Sequence, residues 1–223
     1  MAKKLPIVRI VDDDESFCLS QKLFLQAMGW FVQTYSSADA FLEDDDIEQP
    51  GCLILDVRMP GMTGLELQEA MIVRDVPLPI IFLTGHGDVN MAVHALQYGA
   101  FDFLQKPVDP EKLHAVVERA VKHSLALNEQ SQDVARIREL YDTLTPREQN
   151  VVKLAAMDKS NKEIGEALCI SLPTVKMHRG NAFVKLGVKG ALEAYWLLET
   201  IGVVEKGGRP VSALPFVPHK GER

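Results

Sequence analysis

The stretch Cys52-Leu53-Ile54-Leu55-Asp56-Val57-Arg58-Met59-Pro60-Gly61 decides how the chain folds. A short apolar run ends in an aspartate, and a Pro-Gly pair follows. Such a run, bounded by turn residues, reads as a strand buried on both faces. Asp56 then stands where the strand gives way to a loop. Open parallel α/β sheets bind ligands outside the carboxyl ends of their strands, at the point where strand order reverses. A carboxylate there is a candidate nucleophile or metal ligand. The competing reading is an ordinary turn or helix-capping aspartate.

Two further stretches favour the chemical reading. Ile7-Val8-Arg9-Ile10-Val11 also runs into carboxylates, at Asp12, Asp13 and Asp14. Beside the Asp56 strand, it brings several carboxylates to one sheet edge. Like charges that close need a cation or a proton between them. Oxygen-only ligands suit Mg²⁺, which keeps some waters and coordinates phosphate. Ile80-Ile81-Phe82-Leu83-Thr84 and Phe101-Asp102-Phe103-Leu104-Gln105-Lys106-Pro107 add a hydroxyl and an ammonium at two more strand ends. Carboxylates, a hydroxyl and a lysine make a phosphoryl-transfer site with an aspartate acceptor.

This constellation resembles the receiver domain of two-component response regulators. The matching features are Asp12, Asp13, Asp56, Thr84, Phe103 and the Lys106-Pro107 pair. The resemblance implies that Asp56 accepts a phosphoryl group from a sensor histidine kinase. It implies that Asp13 and Asp56 hold Mg²⁺ with the Arg58 carbonyl, Asp12 acting through a bound water. Thr84 and Lys106 would contact phosphoryl oxygens, Phe103 would be the switch aromatic, and the Lys106-Pro107 bond would be cis. Val57-Arg58-Met59-Pro60 and Thr84-Gly85-His86-Gly87-Asp88 resemble the NarL/FixJ subfamily. His86 reads as a loop residue beside the site, and Asp44-Asp45-Asp46 as a solvated loop.

The length of 223 residues admits one large domain or two small ones. Cys18, Cys52 and Cys169 form no CxxC pair, so they read as thiols in a reducing, cytoplasmic setting with no metal site. No signal peptide or membrane span is expected. Charge divides the chain. Residues 1–125 carry 10 Lys and Arg against 19 Asp and Glu, whereas residues 143–200 carry 8 against 6. An acidic first part and a mildly basic second part point to two domains with different partners.

Through residue 125, strands alternate with helical patterns. Helical stretches start near Glu15 and after Asp88. Phe31–Tyr35 is a further strand, and Thr63-Gly64-Leu65-Glu66 is a capping box. Asp109-Pro110-Glu111 opens another helix as N-cap, proline and first-turn acid. The reading is a doubly wound, flavodoxin-like sheet of five parallel strands in the order 2-1-3-4-5. Asp12, Asp13 and Asp56 would meet between strands 1 and 3.

No glycine or proline occurs from Glu111 to Thr145. One long connecting helix is the favoured reading, with about 30 residues spanning about 45 Å. A break at Asn128–Asp133 is the alternative. Thr145-Pro146-Arg147-Glu148 and Ser160-Asn161-Lys162-Glu163 are capping boxes, Ser171 caps a third helix ending at Gly187, and a fourth runs from about Gly190 to Glu199. Short helices joined by tight turns fit either a helix-turn-helix or a small ligand-free bundle. On the third helix, Val175, Arg179, Ala182 and Leu186 share one side. Lys176, Met177, Gly180, Asn181 and Val184 share the other. Lysine, asparagine and methionine together suit a major groove.

Leu144 to about Leu198 resembles the LuxR-type helix-turn-helix, through Leu144-Thr145-Pro146-Arg147-Glu148, Ser160-Asn161-Lys162-Glu163-Ile164, Thr174-Val175-Lys176 and Lys185-Leu186-Gly187-Val188. Asp158 departs from the family's usual glycine, and Gly180 from a usual contact residue. Base contact is assigned to Lys176, Met177 and Asn181, and phosphate contact to Thr174 and Lys185. The expected organisation is a receiver at 1–125, a helical linker at 126–142, an all-α four-helix DNA-binding domain at 143–200 and a flexible tail at 201–223. The expected function is phosphorylation-dependent transcription regulation by a non-enzyme. Expected partners are a histidine kinase, double-stranded DNA, a second copy of the chain and RNA polymerase. The alternatives are a regulator that uses its receiver only to dimerise, and a Mg²⁺-dependent aspartyl-phosphate phosphatase.

Overall fold

The computed structural model of the protein describes residues 5–44, 46–85, 89–205 and 209–210. The expectations for His86, for Asp88 as a helix start, for Asp45 and for most of the tail lie outside these residues. The chain divides into two compact units, residues 1–129 and 130–223.

In the first unit, strands β1 (Ile7–Val11), β2 (Phe31–Tyr35), β3 (Gly51–Leu55), β4 (Ile80–Thr84) and β5 (Asp102–Gln105) alternate with helices α1 (Glu15–Ala27), α2 (Ala38–Asp44), α3 (Gly64–Val73) and α4 (Val89–Gln97). The strands are all parallel, in the order β2-β1-β3-β4-β5. Every residue of β3 and β4 is buried. Alternation explains why: successive side chains point to opposite faces. Cys52 and Ile54 join Ile81, Leu83 and the α1 side chains in one core, whereas Leu53 and Leu55 join Phe82, Leu67 and Met71 in the other. Helices cover both faces, so the strands carry unbroken apolar runs.

Two residues hold this frame in ways the apolar pattern does not show. Gly51 stands where a Cβ would fall 1.8 Å from the Ile7 carbonyl oxygen. Arg9 lies in mid-strand with no exposure, its guanidinium donating to the Asp46 carbonyl at 2.9 Å and the Ile7 carbonyl at 3.2 Å. A buried cation is tolerated only when its donors are used.

Helix α5 (Pro110–Asp142) is continuous through residues 128–133, as the favoured reading of one long helix expects, and the alternative break is absent. Asp109 accepts the N–H groups of Glu111 and Lys112 at its start. Leu113, Val116, Val117, Ala120 and Val121 lie in the first unit's core, while Ile137, Leu140 and Tyr141 pack in a core of the second. Residues 129–136 between them are all exposed.

The second unit adds α6 (Pro146–Ala156), α7 (Asn161–Leu168), α8 (Leu172–Leu186) and α9 (Ala191–Thr200), then β6 (Val204–Glu205) paired antiparallel with β7 (Arg209–Pro210). Both expected capping boxes form, and Ser171 caps α8. Gly187 ends α8 in the left-handed region, and Asp158 takes φ 59. Ile137, Leu140 and Tyr141 belong to this unit's core, ahead of residue 143. Ile201 and Val204 are buried in that core. Apolar side chains that complete a core extend a unit past the last helix that periodicity reveals.

Candidate functional site: an acidic sheet edge and a helix-turn-helix

Asp12 and Asp56 follow directly on β1 and β3, the strands at which the order reverses. The Asp56 N–H donates to the Val11 carbonyl at 3.0 Å, which seats the two loops side by side. Both carboxylates are buried, at 3% and 7% exposure. Lys106 reaches them from the end of β5: its Nζ lies 2.5 Å from Asp12 Oδ2 and 3.3 Å from Asp56 Oδ1. The Lys106 N–H donates to the Thr84 carbonyl, and the Lys106-Pro107 bond is cis. Thr84 is buried at the end of β4. The Asp56 Oδ2 accepts the Arg58 N–H at 2.9 Å.

Gly64, at the start of α3, makes room for this loop. A Cβ there would lie 2.1 Å from the Asp56 carbonyl oxygen. Phe103 is half-buried, its ring centroid 6.1 Å from that of Phe82. Asp13 is exposed. Asp12 and Asp56 thus meet around the Lys106 ammonium. Among the described residues no group of three or more His, Cys, Asp or Glu converges to hold a metal ion.

Electrostatics at this edge follow from burial. Desolvation pushes the Asp12 carboxyl above its ordinary value, opposed by the Lys106 hydrogen bond and the Asp14 N–H. Desolvation alone would lower Lys106, but the Asp12 hydrogen bond and the two carboxylate charges outweigh it and raise the ammonium. These directions pull against each other, because a raised carboxyl favours a shared proton. Two carboxylates facing one ammonium keep Lys106 charged. Cys18 donates to the Asp12 carbonyl at 3.5 Å, and burial pushes its thiol up to about 11. The thiol therefore stays protonated, and the available ligands are oxygens, the set a hard cation such as Mg²⁺ takes.

In the second unit, the two faces of α8 sort as the helical wheel predicts. Val175, Ala182 and Leu186 of α8 are buried, whereas Lys176, Met177, Gly180, Asn181 and Val184 are exposed. Met177 is 52% and Val184 82% exposed. Arg179 donates to Asn161 Oδ1 at 2.8 Å and lies 5.1 Å from the Phe183 ring, tying α8 to α7. The turn between these helices uses Cys169 in the left-handed region, at φ 53. Thr174 is half-buried, its hydroxyl 2.7 Å from that of Ser171.

The chain matches the response regulator receiver domain model over residues 8–118 and the luxR family model of bacterial regulatory proteins over 142–198. It is 36% identical over 197 residues to nodulation protein W of Bradyrhizobium diazoefficiens, covering 88% of this chain and 87% of that one. It is 38% identical over 182 residues to the transcriptional regulatory protein FixJ of Rhizobium meliloti, covering 82% and 89%. Among solved structures, response regulator StyR matches with a TM-score of 0.80 at 38% identity, over 87% of this chain and 98% of that one. The chain belongs to the NarL/FixJ-type response regulators.

A response regulator of this type is a transcriptional regulator of a two-component system, and both of its surfaces are accounted for above. One residue of the expected DNA interface also has a partner within this response regulator. The Lys185 Nζ lies 2.7 Å from Glu148 Oε2, and Glu148 is 4% exposed. The Lys185 hydrogen bond, with the Thr145 N–H, holds the Glu148 carboxyl below the usual carboxylate range. Glu148 reads in the sequence as a capping-box residue, and its partner 37 positions later carries no local signal. Glu163 is likewise pushed down to about 2, by the Ser160 N–H and hydroxyl and by Lys159. Among the described residues no helix is long and apolar enough to cross a membrane.

Proposed function

We propose that Asp56 is the phosphoryl acceptor of this response regulator and that its phosphorylation, from a sensor histidine kinase in the cytoplasm, drives dimerisation and sequence-specific DNA binding. The observation that carries this reading is the Lys106 ammonium set between the buried carboxylates of Asp12 and Asp56. An Asp56 carboxylate oxygen attacks the donor phosphorus. The bond from phosphorus to the donor's nitrogen or oxygen breaks, and its electron pair leaves with the donor. Lys106 and the Thr84 hydroxyl take up phosphoryl oxygens, which offsets the charge that develops there. Asp12, Asp13, Asp56 and the Arg58 carbonyl would hold Mg²⁺, which supplies further positive charge to the phosphoryl group when bound.

Phe103, half-buried on the β5 edge, is the aromatic that changes place when Thr84 is drawn to the phosphoryl group. In the second unit, Lys176, Met177 and Asn181 read base edges, and Thr174 and Lys185 contact phosphate. RNA polymerase is a further partner at the promoter. The domain assignment supported by the packing is a receiver ending within α5 and a DNA-binding domain that takes in the end of α5 and Ile201–Glu205. Regulation by binding, not catalytic turnover, is its role.

Acetyl phosphate with Mg²⁺ tests the acceptor. The wild type should become labelled and Asp56→Asn should not, because asparagine keeps the shape without the nucleophilic charge. Equal labelling of the two proteins would remove the assignment.

A further inference from the structure

Lys106 has a third neighbour besides the two carboxylates. Its Nζ stands 4.1 Å from the centroid of the Phe17 ring, on α1. A cation that close to an aromatic face is attracted by the ring's quadrupole. Phe17 is half-buried and packs against the core that α1 and α5 share. We propose that Phe17 is a positioning residue of the phosphoryl site, whose ring face holds the Lys106 ammonium against Asp12 and Asp56. The proposal rests on the reading of Asp56 as acceptor.

The placement of Phe17 is not left to one contact. Asp12 Oδ2 accepts Lys106 Nζ, and Asp12 Oδ1 accepts the Asp14 N–H at 3.0 Å. Asp14 is the N-cap of α1, and its Oδ1 accepts the Phe17 N–H at 3.0 Å. Phe17 then closes the ring of contacts back to Lys106. The same carboxylate that pairs with the ammonium therefore fixes, through one cap, the helix turn that presents the aromatic face. The lysine side chain is 20% exposed, so without a wall on this side the ammonium can swing toward water. A ring face also suits a cation that must move, since its attraction has no single direction. Lys106 can pivot from the carboxylates to an incoming phosphoryl group without breaking a hydrogen bond to Phe17. Preorganised charge at the reacting atoms is what lowers the barrier in such sites.

The test uses the full chain in three forms: wild type, Phe17→Leu and Phe17→Tyr. Leucine keeps apolar bulk and loses the π face, while tyrosine keeps the face. Initial labelling from acetyl phosphate with Mg²⁺ should slow about two- to five-fold in Phe17→Leu and return most of the way in Phe17→Tyr. A second readout needs no phosphoryl donor. The ε-methylene protons of Lys106 should show an upfield ring-current shift by NMR in the wild type and Phe17→Tyr, lost in Phe17→Leu. Wild-type labelling in Phe17→Leu overturns the proposal, as does equal slowing in both variants, which is the signature of packing alone. An unchanged Lys106 shift in Phe17→Leu overturns it too. Absence of labelling in the wild type is a different outcome: it removes the acceptor reading, and the NMR comparison still decides whether Phe17 holds Lys106.

Discussion

Single residues in this chain earn their effect from partners far away in sequence. Glu148 and Lys185 are the clearest pair. Removing Lys185 leaves a nearly buried carboxylate without its counterion, and a lysine that served only DNA phosphate would leave stability untouched. Because Lys185 is itself partly exposed, solvent moderates the loss. Lys185→Ala should lower the unfolding free energy of the second unit by about 1–2 kcal/mol, measured by urea titration of the full chain followed at Trp196. The pH dependence has a definite sign. The Glu148 carboxyl is depressed in the folded state, so its stabilisation is fully present above the unfolded carboxylate value and disappears as pH falls through the folded one. The stability gap between wild type and Glu148→Gln should stay constant from neutral pH down to about 5 and close below that. A gap that persists unchanged well into the acid range would show that the charge on Glu148 contributes nothing.

At the scale of the element, α8 divides its labour by face. Val175, Ala182 and Leu186 anchor it, and Arg179 is occupied by Asn161 and Phe183. The exposed Lys176, Met177 and Asn181 are the side chains proposed to contact DNA. Asparagine reads adenine by paired hydrogen bonds, so its loss should be felt on one sequence more than on another. Asn181→Ala should cost about 1–3 kcal/mol on the operator and far less on a scrambled duplex. Titrations of both duplexes at two salt concentrations check this, and equal losses would take Asn181 off the reading face. The capping boxes around α6 and α7 show the same economy. Each satisfies N–H groups at a helix start with side chains three residues apart, which is why their positions were evident from local sequence.

For the whole molecule, the division of charge bears on the proposed mode of regulation. Residues 143–200 carry 8 Lys and Arg against 6 Asp and Glu. Lys185 is paired with Glu148 and Lys159 with Glu163, so the positive charge available to phosphate is modest. A single copy should bind weakly and with shallow salt dependence. Two copies on adjacent half-sites gain through effective concentration, so control of dimerisation suffices to control binding. Sedimentation of the full chain should show a shift from monomer toward dimer after acetyl phosphate treatment, absent in Asp56→Asn. A monomer under both conditions would leave the dimerisation mechanism without support.

The order of strands and helices, the caps at Thr63, Asp109, Thr145, Ser160 and Ser171, and the two faces of α8 were all legible in the amino-acid sequence. They depend on apolar periodicity and on hydrogen bonds spanning three or four residues, which are local properties. The convergence of Asp12, Asp56, Thr84 and Lys106 on one edge was legible for a related reason: parallel strands place all their carboxyl ends on the same side. Tertiary structure alone decided the rest. It closed Lys106 between two carboxylates and the Phe17 ring, joined Lys185 to Glu148, and buried Arg9 beneath the Asp46 carbonyl. It left Asp13 exposed and drew Ile137, Leu140, Tyr141, Ile201 and Val204 into the second core. Most of these bring together groups far apart along the chain, with no local signal linking them. Only the packing of whole elements brings such groups within hydrogen-bond or van der Waals reach.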